Sequence, residues 1–367
     1  MFHNYRFRNY DMLLVIYVLV LTIIGIFIIG SANSDYQNKQ ILGMVLGLAA
    51  MFTVSLFDYE FILKFPWVYY AGTNLLLLSV LVLGDNTKGA TRWIDLGFLR
   101  FQPSEAAKVL LVLFFAWYLM QYEEELNSPK RLCITAALAA IPLLLIVKEP
   151  DLSTTIVTFM VIAAMMFFAG LSYKLVGWAL GISIPSIGIF LFLIAKRGIS
   201  FLNGYQMLRI LAWLRPEDYP ESSYQQQNSI MAIGSGQLLG KGLYNNSADS
   251  VKNGNFISEP QTDFIFAVAG EELGFIGSIV IVALLFLISL ECIKVAKKAR
   301  DLSGQLICVG IAAIIGFQGF VNICVVTGLF PNTGLPLPFV SYGLTSLVTL
   351  YGGIGFVLNV SLQAKKY

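Results

Sequence analysis

Residues 12–30 read MLLVIYVLVLTIIGIFIIG, an apolar run without a charged side chain. An α-helix needs about 20 such residues to cross the hydrocarbon core of a bilayer. The run is longer than the core of a secretory signal and no convincing cleavage site follows it, so it is expected to stay as a membrane span. Working outward, comparable stretches lie at 40–57, 66–83, 104–121, 131–147, 152–170, 174–194, 264–291, 305–329 and 340–362. The expected fold is an all-α polytopic membrane protein with about ten transmembrane helices. Composition points the same way. Of 367 residues, 57% are hydrophobic and 13% charged, against about 25% charged in a soluble domain. Mean hydropathy is +0.74. A soluble fold has no interior able to hide that much apolar surface, so lipid must be the solvent.

A net charge of +2, with no basic run interleaved with aromatics, argues against nucleic-acid binding. Cys133, Cys292, Cys308 and Cys324 lack the spacing of a metal site or disulfide framework and read as reduced packing residues. His3, the only histidine, lies in the N-terminal tail, which removes histidine triads and zinc sites from consideration. An even number of spans places both termini on one side. That side carries Arg6, Arg8, Lys64, Lys130, Arg131, Lys174, Lys294, Lys297, Lys298, Arg300, Lys365 and Lys366. The short loops opposite carry Lys39, Lys88, Arg92, Arg100 and Lys148, so both termini are expected in the cytoplasm.

The chain reads as a single transmembrane domain over 1–367, with a large extracytoplasmic loop at 195–263 between the seventh and eighth spans. Within that loop, Phe201–Leu214 sets apolar Leu202, Met207, Leu208, Ile210, Leu211 and Leu214 against Asn203, Gln206 and Arg209. The pattern suits an interfacial helix ending before Pro216, and a second helical stretch is expected near Tyr224–Ile233. No internal repeat is visible. Asn245-Asn246-Ser247 matches a glycosylation acceptor by chance, and Glu123-Glu124-Glu125 reads as a solvated loop.

Ionisable side chains within spans cost roughly 2.5–3.5 kcal/mol each on insertion scales, so each needs a partner or a purpose. Lys108 lies one turn into the fourth span, on the same helix face as Glu105, after Pro103 at a first helical position. Asp151 opens the sixth span, where the helix dipole favours an anion. Both helix starts lie on the outer side, so Lys108 is expected to meet Asp151 or Glu105. Either the pair merely fixes two helices, or the lysine lines a site for a phosphorylated ligand. Asp263 stands where the long outer loop becomes the eighth span. It is either an N-cap or a partly desolvated carboxylate suited to act as a general base. Glu271 and Glu272 follow about two turns on. Residues 328–338, GLFPNTGLPLP, are too rich in Gly and Pro for helix. They form either a tight turn or irregular backbone covering a cavity. Ser341, Tyr342, Thr345 and Ser346 follow.

Several phrases together resemble one family over nearly the whole chain. They are Lys88-Gly89-Ala90-Thr91-Arg92-Trp93-Ile94, Phe101-Gln102-Pro103-Ser104-Glu105 and Glu149-Pro150-Asp151-Leu152. Further on come Ala232-Ile233-Gly234-Ser235-Gly236, Gly240-Lys241-Gly242-Leu243, Thr262-Asp263-Phe264-Ile265-Phe266 with Gly270-Glu271-Glu272-Leu273-Gly274, and Pro338-Phe339-Val340-Ser341-Tyr342-Gly343. The set resembles the SEDS family (shape, elongation, division and sporulation). The short N-terminal tail and the loop around Lys241–Gln261 resemble its elongation branch more than its division branch. The resemblance implies a ten-span bundle in the bacterial cytoplasmic membrane that polymerises lipid II into glycan strands beside a class B penicillin-binding protein. It implies catalysis by Asp263 and a functional polar cluster of Glu105, Lys108 and Asp151. Two positions depart from the family pattern: Leu344 replaces a usual glycine, and Glu149 stands where glutamine is common.

The expected reaction is an inverting glycosyl transfer, with Asp263 accepting a sugar hydroxyl proton. By side and charge, Lys108, Arg92, Arg209 and Arg215 are candidates to stabilise the departing pyrophosphate, and Ser341 to support the site. No acidic cluster has obvious metal-site spacing, and a role for a divalent cation stays open. The competing readings are a transporter that flips the lipid-linked precursor and a non-catalytic scaffold. Transporters tend to carry broken helices and charges at the bilayer midplane, whereas these charges cluster near the outer boundary.

Overall fold

The computed structural model describes residues 5, 7–87, 90–95, 97, 100–197, 204–245, 250, 254 and 256–364. Arg6, His3, Lys88, Gly89, Phe201 to Asn203, Asn246, Ser247, Lys365 and Lys366 lie outside the described residues. The chain runs through α1 (Met12–Ala32), α2 (Ser34–Leu56), a single turn α3 (Tyr59–Ile62) and α4 (Pro66–Leu83). A small antiparallel sheet follows: β1 (Asp85–Thr87), β2 (Ala90–Asp95) and β3 (Arg100–Phe101), with β2 central. Next come α5 (Pro103–Gln121), α6 (Pro129–Lys148), α7 (Leu152–Phe168), α8 (Tyr173–Arg197), α9 (Gly204–Leu214) and α10 (Pro220–Ser235). Then come α11 (Ile265–Lys298), α12 (Leu302–Val326) and α13 (Leu344–Leu362).

Among the described residues, nine helices are long and apolar enough to cross a membrane, and α7 is a shorter apolar tenth. The all-α multi-span fold expected from hydropathy is the one found, with the small sheet as a local addition in the connection before α5.

Local chemistry sets the boundaries. Asn33 ends α1 in an extended conformation, and its side chain accepts from Asp35 N at 3.1 Å, so one residue serves as cap for both α1 and α2. Pro103 and Pro129 occupy first turns, where a missing N–H costs nothing.

In lipid, helices gain little from apolar burial against each other, so close approach over small residues holds the bundle. On α2 and α13, a β-carbon on Gly47 would lie 2.6 Å from the Tyr351 ring, and one on Gly355 would lie 2.7 Å from the Met51 carbonyl. Tyr351 adds a buried hydrogen bond to Thr22 of α1 at 2.9 Å. At the end of the bundle that holds Tyr5 and Gln363, the Tyr59 hydroxyl donates to Asp301 at 2.8 Å and Asn359 donates to the Ser55 carbonyl at 2.8 Å. α5, α12 and α13 are mostly buried, whereas α8 is almost wholly exposed and packs against α9.

The run 264–291, expected as one uninterrupted span, is broken. Gly274 sits at φ 64°, ψ −162° and divides α11. The loop 236–242 fills the break. Lys241 N and Gly242 N donate to the Glu271 and Glu272 carbonyls at 2.9 Å each, while Phe275 N and Ile276 N donate to Gln237 and Leu238 carbonyls at 2.9 and 3.2 Å. A β-carbon on Gly236 would lie 1.9 Å from the Gly270 carbonyl, so only glycine allows this approach. Irregular backbone near membrane depth is thus satisfied by protein. The side chains beside the break are also held: Lys241 pairs with Glu271 at 2.8 Å, and Ser31 donates to Glu272 at 2.6 Å.

Candidate functional site

The Gly- and Pro-rich segment after α12 is neither helix nor a bare turn. Its backbone carbonyls are pinned one after another by polar side chains from the helices around it. Asn322 Nδ2 donates to the Leu335 carbonyl at 2.6 Å and to the Asp263 carbonyl at 2.8 Å. Gln318, one turn earlier on the same face, donates to the Pro336 carbonyl at 3.0 Å. Ser153 reaches the Thr333 carbonyl at 2.8 Å, and Arg209 reaches that of Asn332 at 3.2 Å. Ser341 closes the far end: its hydroxyl donates to the Thr262 carbonyl at 2.7 Å and accepts from Leu337 N at 2.7 Å. This candidate site residue therefore holds backbone.

The fixed loop presents Gly334 at φ +78° to a convergence of charges. A β-carbon there would lie 3.2 Å from Asp263 Oδ2, 3.4 Å from Arg92 Nη1 and 3.8 Å from Arg209 Nη1. The N-cap position of α11 is Phe264, and no side chain caps it, so the Asp263 carboxyl is not spent on a helix end. Burial pushes that carboxyl above the usual range. Arg209 and Arg92 pull it back, and Glu259 and Asp151 push it up again.

Arg92 arrives on β2, which is held in register by β1 and β3. It donates to the Pro150 carbonyl, and its Nε lies 3.9 Å from Asp151 Oδ2. Asp151 in turn caps α7 by accepting from Thr154 N at 3.1 Å.

Lys108 takes another partner. Its Nζ donates to Glu105 Oε1 at 2.7 Å and to Gln318 Oε1 at 2.5 Å, and Ser346 donates to the second Glu105 oxygen at 2.7 Å. Lys108 and Glu105 are each 2% exposed. Two separate ion pairs thus form, Lys108 with Glu105 and Arg92 with Asp151. Lys108 reaches the loop through Gln318. Arg215, just past α9, is exposed and lies 3.8 Å from Asp218. On α9, Met207 and Ile210 are buried as the periodicity predicts, but Gln206 is buried with them and Leu208 is exposed.

Sequence reasoning passed over Gln318, Asn322 and Ser153. The signal was present for the first two: amides four apart in an apolar span need partners as ionisable groups do. Around this loop, Arg92 Nε, Asn322 Oδ1, Asn332 Oδ1 and Thr333 Oγ1 are buried without a hydrogen-bond partner among the described residues. Buried polar atoms are normally paired, so their concentration beside Asp263 marks a place built for a polar ligand. Chemically, the arrangement offers a proton acceptor flanked by two guanidinium groups that favour anionic oxygens.

Comparison with known proteins gives a consistent result. The FtsW/RodA/SpoVE family model, described as a cell cycle protein, matches residues 10–366. A protein of Geobacter metallireducens named "Probable peptidoglycan glycosyltransferase FtsW" is 34% identical, over 98% of this chain and 96% of its own. Peptidoglycan glycosyltransferase MrdB of Escherichia coli K12 is 32% identical, over 97% of this chain and 94% of its own. Among solved structures, a chain from a peptidoglycan synthase complex coordinating polymerization and crosslinking superimposes with a TM-score of 0.79 at 29% identity, covering 96% of this chain and 97% of that one. The crystal structure of the rod shape determining protein RodA of Thermus thermophilus gives a TM-score of 0.71 at 27% identity, covering 98% of each chain.

Proposed function

Because the chain belongs to the FtsW/RodA/SpoVE family, we propose that it is a peptidoglycan glycosyltransferase polymerising lipid II at the outer face of the bacterial cytoplasmic membrane. The observation that carries the mechanism is the Asp263 carboxyl facing Arg92 and Arg209 across Gly334. A sugar hydroxyl of one lipid-linked disaccharide attacks the anomeric carbon of another, with inversion. Asp263 takes the hydroxyl proton as the bond forms. The C–O bond to the polyprenyl pyrophosphate breaks, and the electron pair leaves with the pyrophosphate, whose charge Arg92 and Arg209 offset. Lys108, Glu105 and Asp151 hold these groups and the loop in place. The excess of Lys and Arg on the terminal side supports cytoplasmic termini.

The sequence of the loop around Lys241–Gln261 supports a role in elongation over division, as in RodA. A class B penicillin-binding protein is the expected partner. A cavity of about 570 Å³ on the α7–α11–α12 face, lined by Met160, Phe286, Ala313, Gly316, Phe317 and Phe320, suits its membrane helix. On α12, Gly316 opens to this face, whereas Gly310 is packed internally against Val112 and Met165.

The test is glycan polymer formation from lipid II by purified protein, alone and with the partner, for wild type and Asp263→Asn. A base role predicts a rate loss of roughly 10²–10⁴-fold with folding and partner binding intact. Appreciable polymer from the asparagine variant dismisses Asp263 as base. The break in α11 is a feature that favours a transporter, and precursor flipping by wild type without polymer would move the chain to that class.

A further inference from the structure

Glu149 is a fully buried acidic side chain near the site that the mechanism leaves unused. It caps the C-terminus of α6, its N–H bonded to the Leu145 and Ile146 carbonyls at 3.3 and 3.1 Å. Its side chain is 0% exposed. Neither carboxyl oxygen has a hydrogen-bond partner among the described residues. An ionised carboxylate in that position would be expensive, because burial without partners penalises the charged form.

The surroundings define what the group responds to. Its chain neighbours hold Arg92: the Pro150 carbonyl accepts from the guanidinium, and Asp151 Oδ2 lies 3.9 Å from Nε. That Nε has no hydrogen bond among the described residues. The charges acting on Glu149 are those of Asp151 and Arg92. On its own helix, Lys148 is exposed. α4 has no charged side chain, and its tyrosines, Tyr69 and Tyr70, lie toward its opposite end. α5 contributes Glu105 and Lys108, which are bonded to each other. The loop 328–338 has no charged residue.

We propose that Glu149 is a positioning residue acting through Arg92. As the neutral acid it leaves the guanidinium turned toward Asp263 and the substrate's pyrophosphate. As the carboxylate it competes for the guanidinium and draws it back onto the 149–151 turn. Burial, reinforced by Asp151 and opposed by Arg92, pushes this carboxyl up to about 8. The change of state therefore falls just above neutral pH, and the released proton goes to solvent. The inference rests on the glycosyltransferase reading, because it assigns Arg92 to the pyrophosphate.

Glu149→Gln keeps the shape of the neutral acid and cannot ionise. The experiment is the pH profile of kcat/KM for glycan formation by wild type and Glu149→Gln. Wild type is expected to lose activity through pH about 8, and the variant to pass through that point without the fall. One pH unit above it the variant exceeds wild type by roughly tenfold, the ratio set by one ionisation. In infrared difference spectra, the carbonyl band of a protonated carboxyl titrates over the same range in wild type and is missing from the variant. Superimposable profiles, or equal loss in the variant at every pH, overturn the proposal. Should wild type form no polymer, binding of a short-chain polyprenyl pyrophosphate across the same pH range replaces the assay. Affinity falling in wild type and level in Glu149→Gln supports the proposal, and parallel curves overturn it. Polymer from Asp263→Asn would end the general-base reading while leaving this comparison valid.

Discussion

Replacing Lys108 by methionine separates its energetic role from its positional one. The Lys108–Glu105 pair has side chains 1% exposed on both sides. Removing the cation leaves a buried carboxylate with Ser346 as its remaining donor. Breaking a buried pair in this way costs about 3–5 kcal/mol, whereas replacing both partners with apolar groups of similar volume is often nearly neutral. Lys108→Met should therefore be strongly destabilised, and Lys108→Met with Glu105→Leu should regain most of that loss. Activity should not return with stability. Lys108 also donates to Gln318, which holds the Pro336 carbonyl. A hydrogen bond from a charged group contributes about 1.5–3 kcal/mol, which amounts to roughly 10- to 150-fold in rate if the transition state feels all of it. The assay pairs denaturant unfolding in detergent with glycan formation from lipid II. A double variant of near-native stability and full activity would refute the idea that Lys108 positions the loop. Native stability in Lys108→Met would refute the energetics.

Gly334→Ala should fold with a loss of about 1 kcal/mol, the cost of a side chain at positive φ. Its β-carbon would lie 3.2 Å from Asp263 Oδ2, and glycan synthesis should drop at least about tenfold, since small misplacements at a reacting centre are costly; full activity would show that the convergence at Gly334 is incidental. Gly316→Leu should weaken co-purification with the penicillin-binding partner while leaving polymerisation by the isolated chain unchanged, and undiminished co-purification would count against the α7–α11–α12 face.

Hydropathy was enough to find the spans, because the requirement for about 20 apolar residues is set by lipid and not by tertiary context. Capping chemistry placed Pro103 at the start of α5 correctly for the same reason: the rule is local. The break at Gly274 was not legible. Glycine is common in membrane helices, and only the approach of the 236–242 loop, far away in sequence, turns this one into an interruption. The β1–β3 sheet was missed because strands of a few residues carry too little alternation to read. Asp263 was singled out, but the choice between cap and base rested on where the helix begins. Lys108 and Asp151 were legible as charges needing partners, and Glu105 was one of the two partners expected for Lys108, yet the partner of Asp151 was not legible. Sequence spacing shows that Glu105 shares a face with Lys108, whereas the meeting of Arg92 with Asp151 depends on how β2 brings Arg92 to the turn between α6 and α7.

The charges around Asp263 bear on how a carboxylate becomes a useful base only when substrate is present. Two guanidinium groups near the carboxyl stabilise its ionised form, which works against the burial that raises its affinity for a proton. Under the proposed reaction, a pyrophosphate seated on Arg92 and Arg209 brings negative charge to the same cations. Their pull on Asp263 is then offset, water is displaced from the site, and the affinity of the carboxylate for a proton rises as the hydroxyl arrives. Base strength is thereby linked to occupancy without any movement of backbone, provided the arginines stay where they are. That condition explains the unusual density of side-chain bonds to loop carbonyls. Gln318, Asn322, Ser153 and Ser341 all hold main chain around Gly334. A segment with no ladder of its own would otherwise let the charge geometry drift.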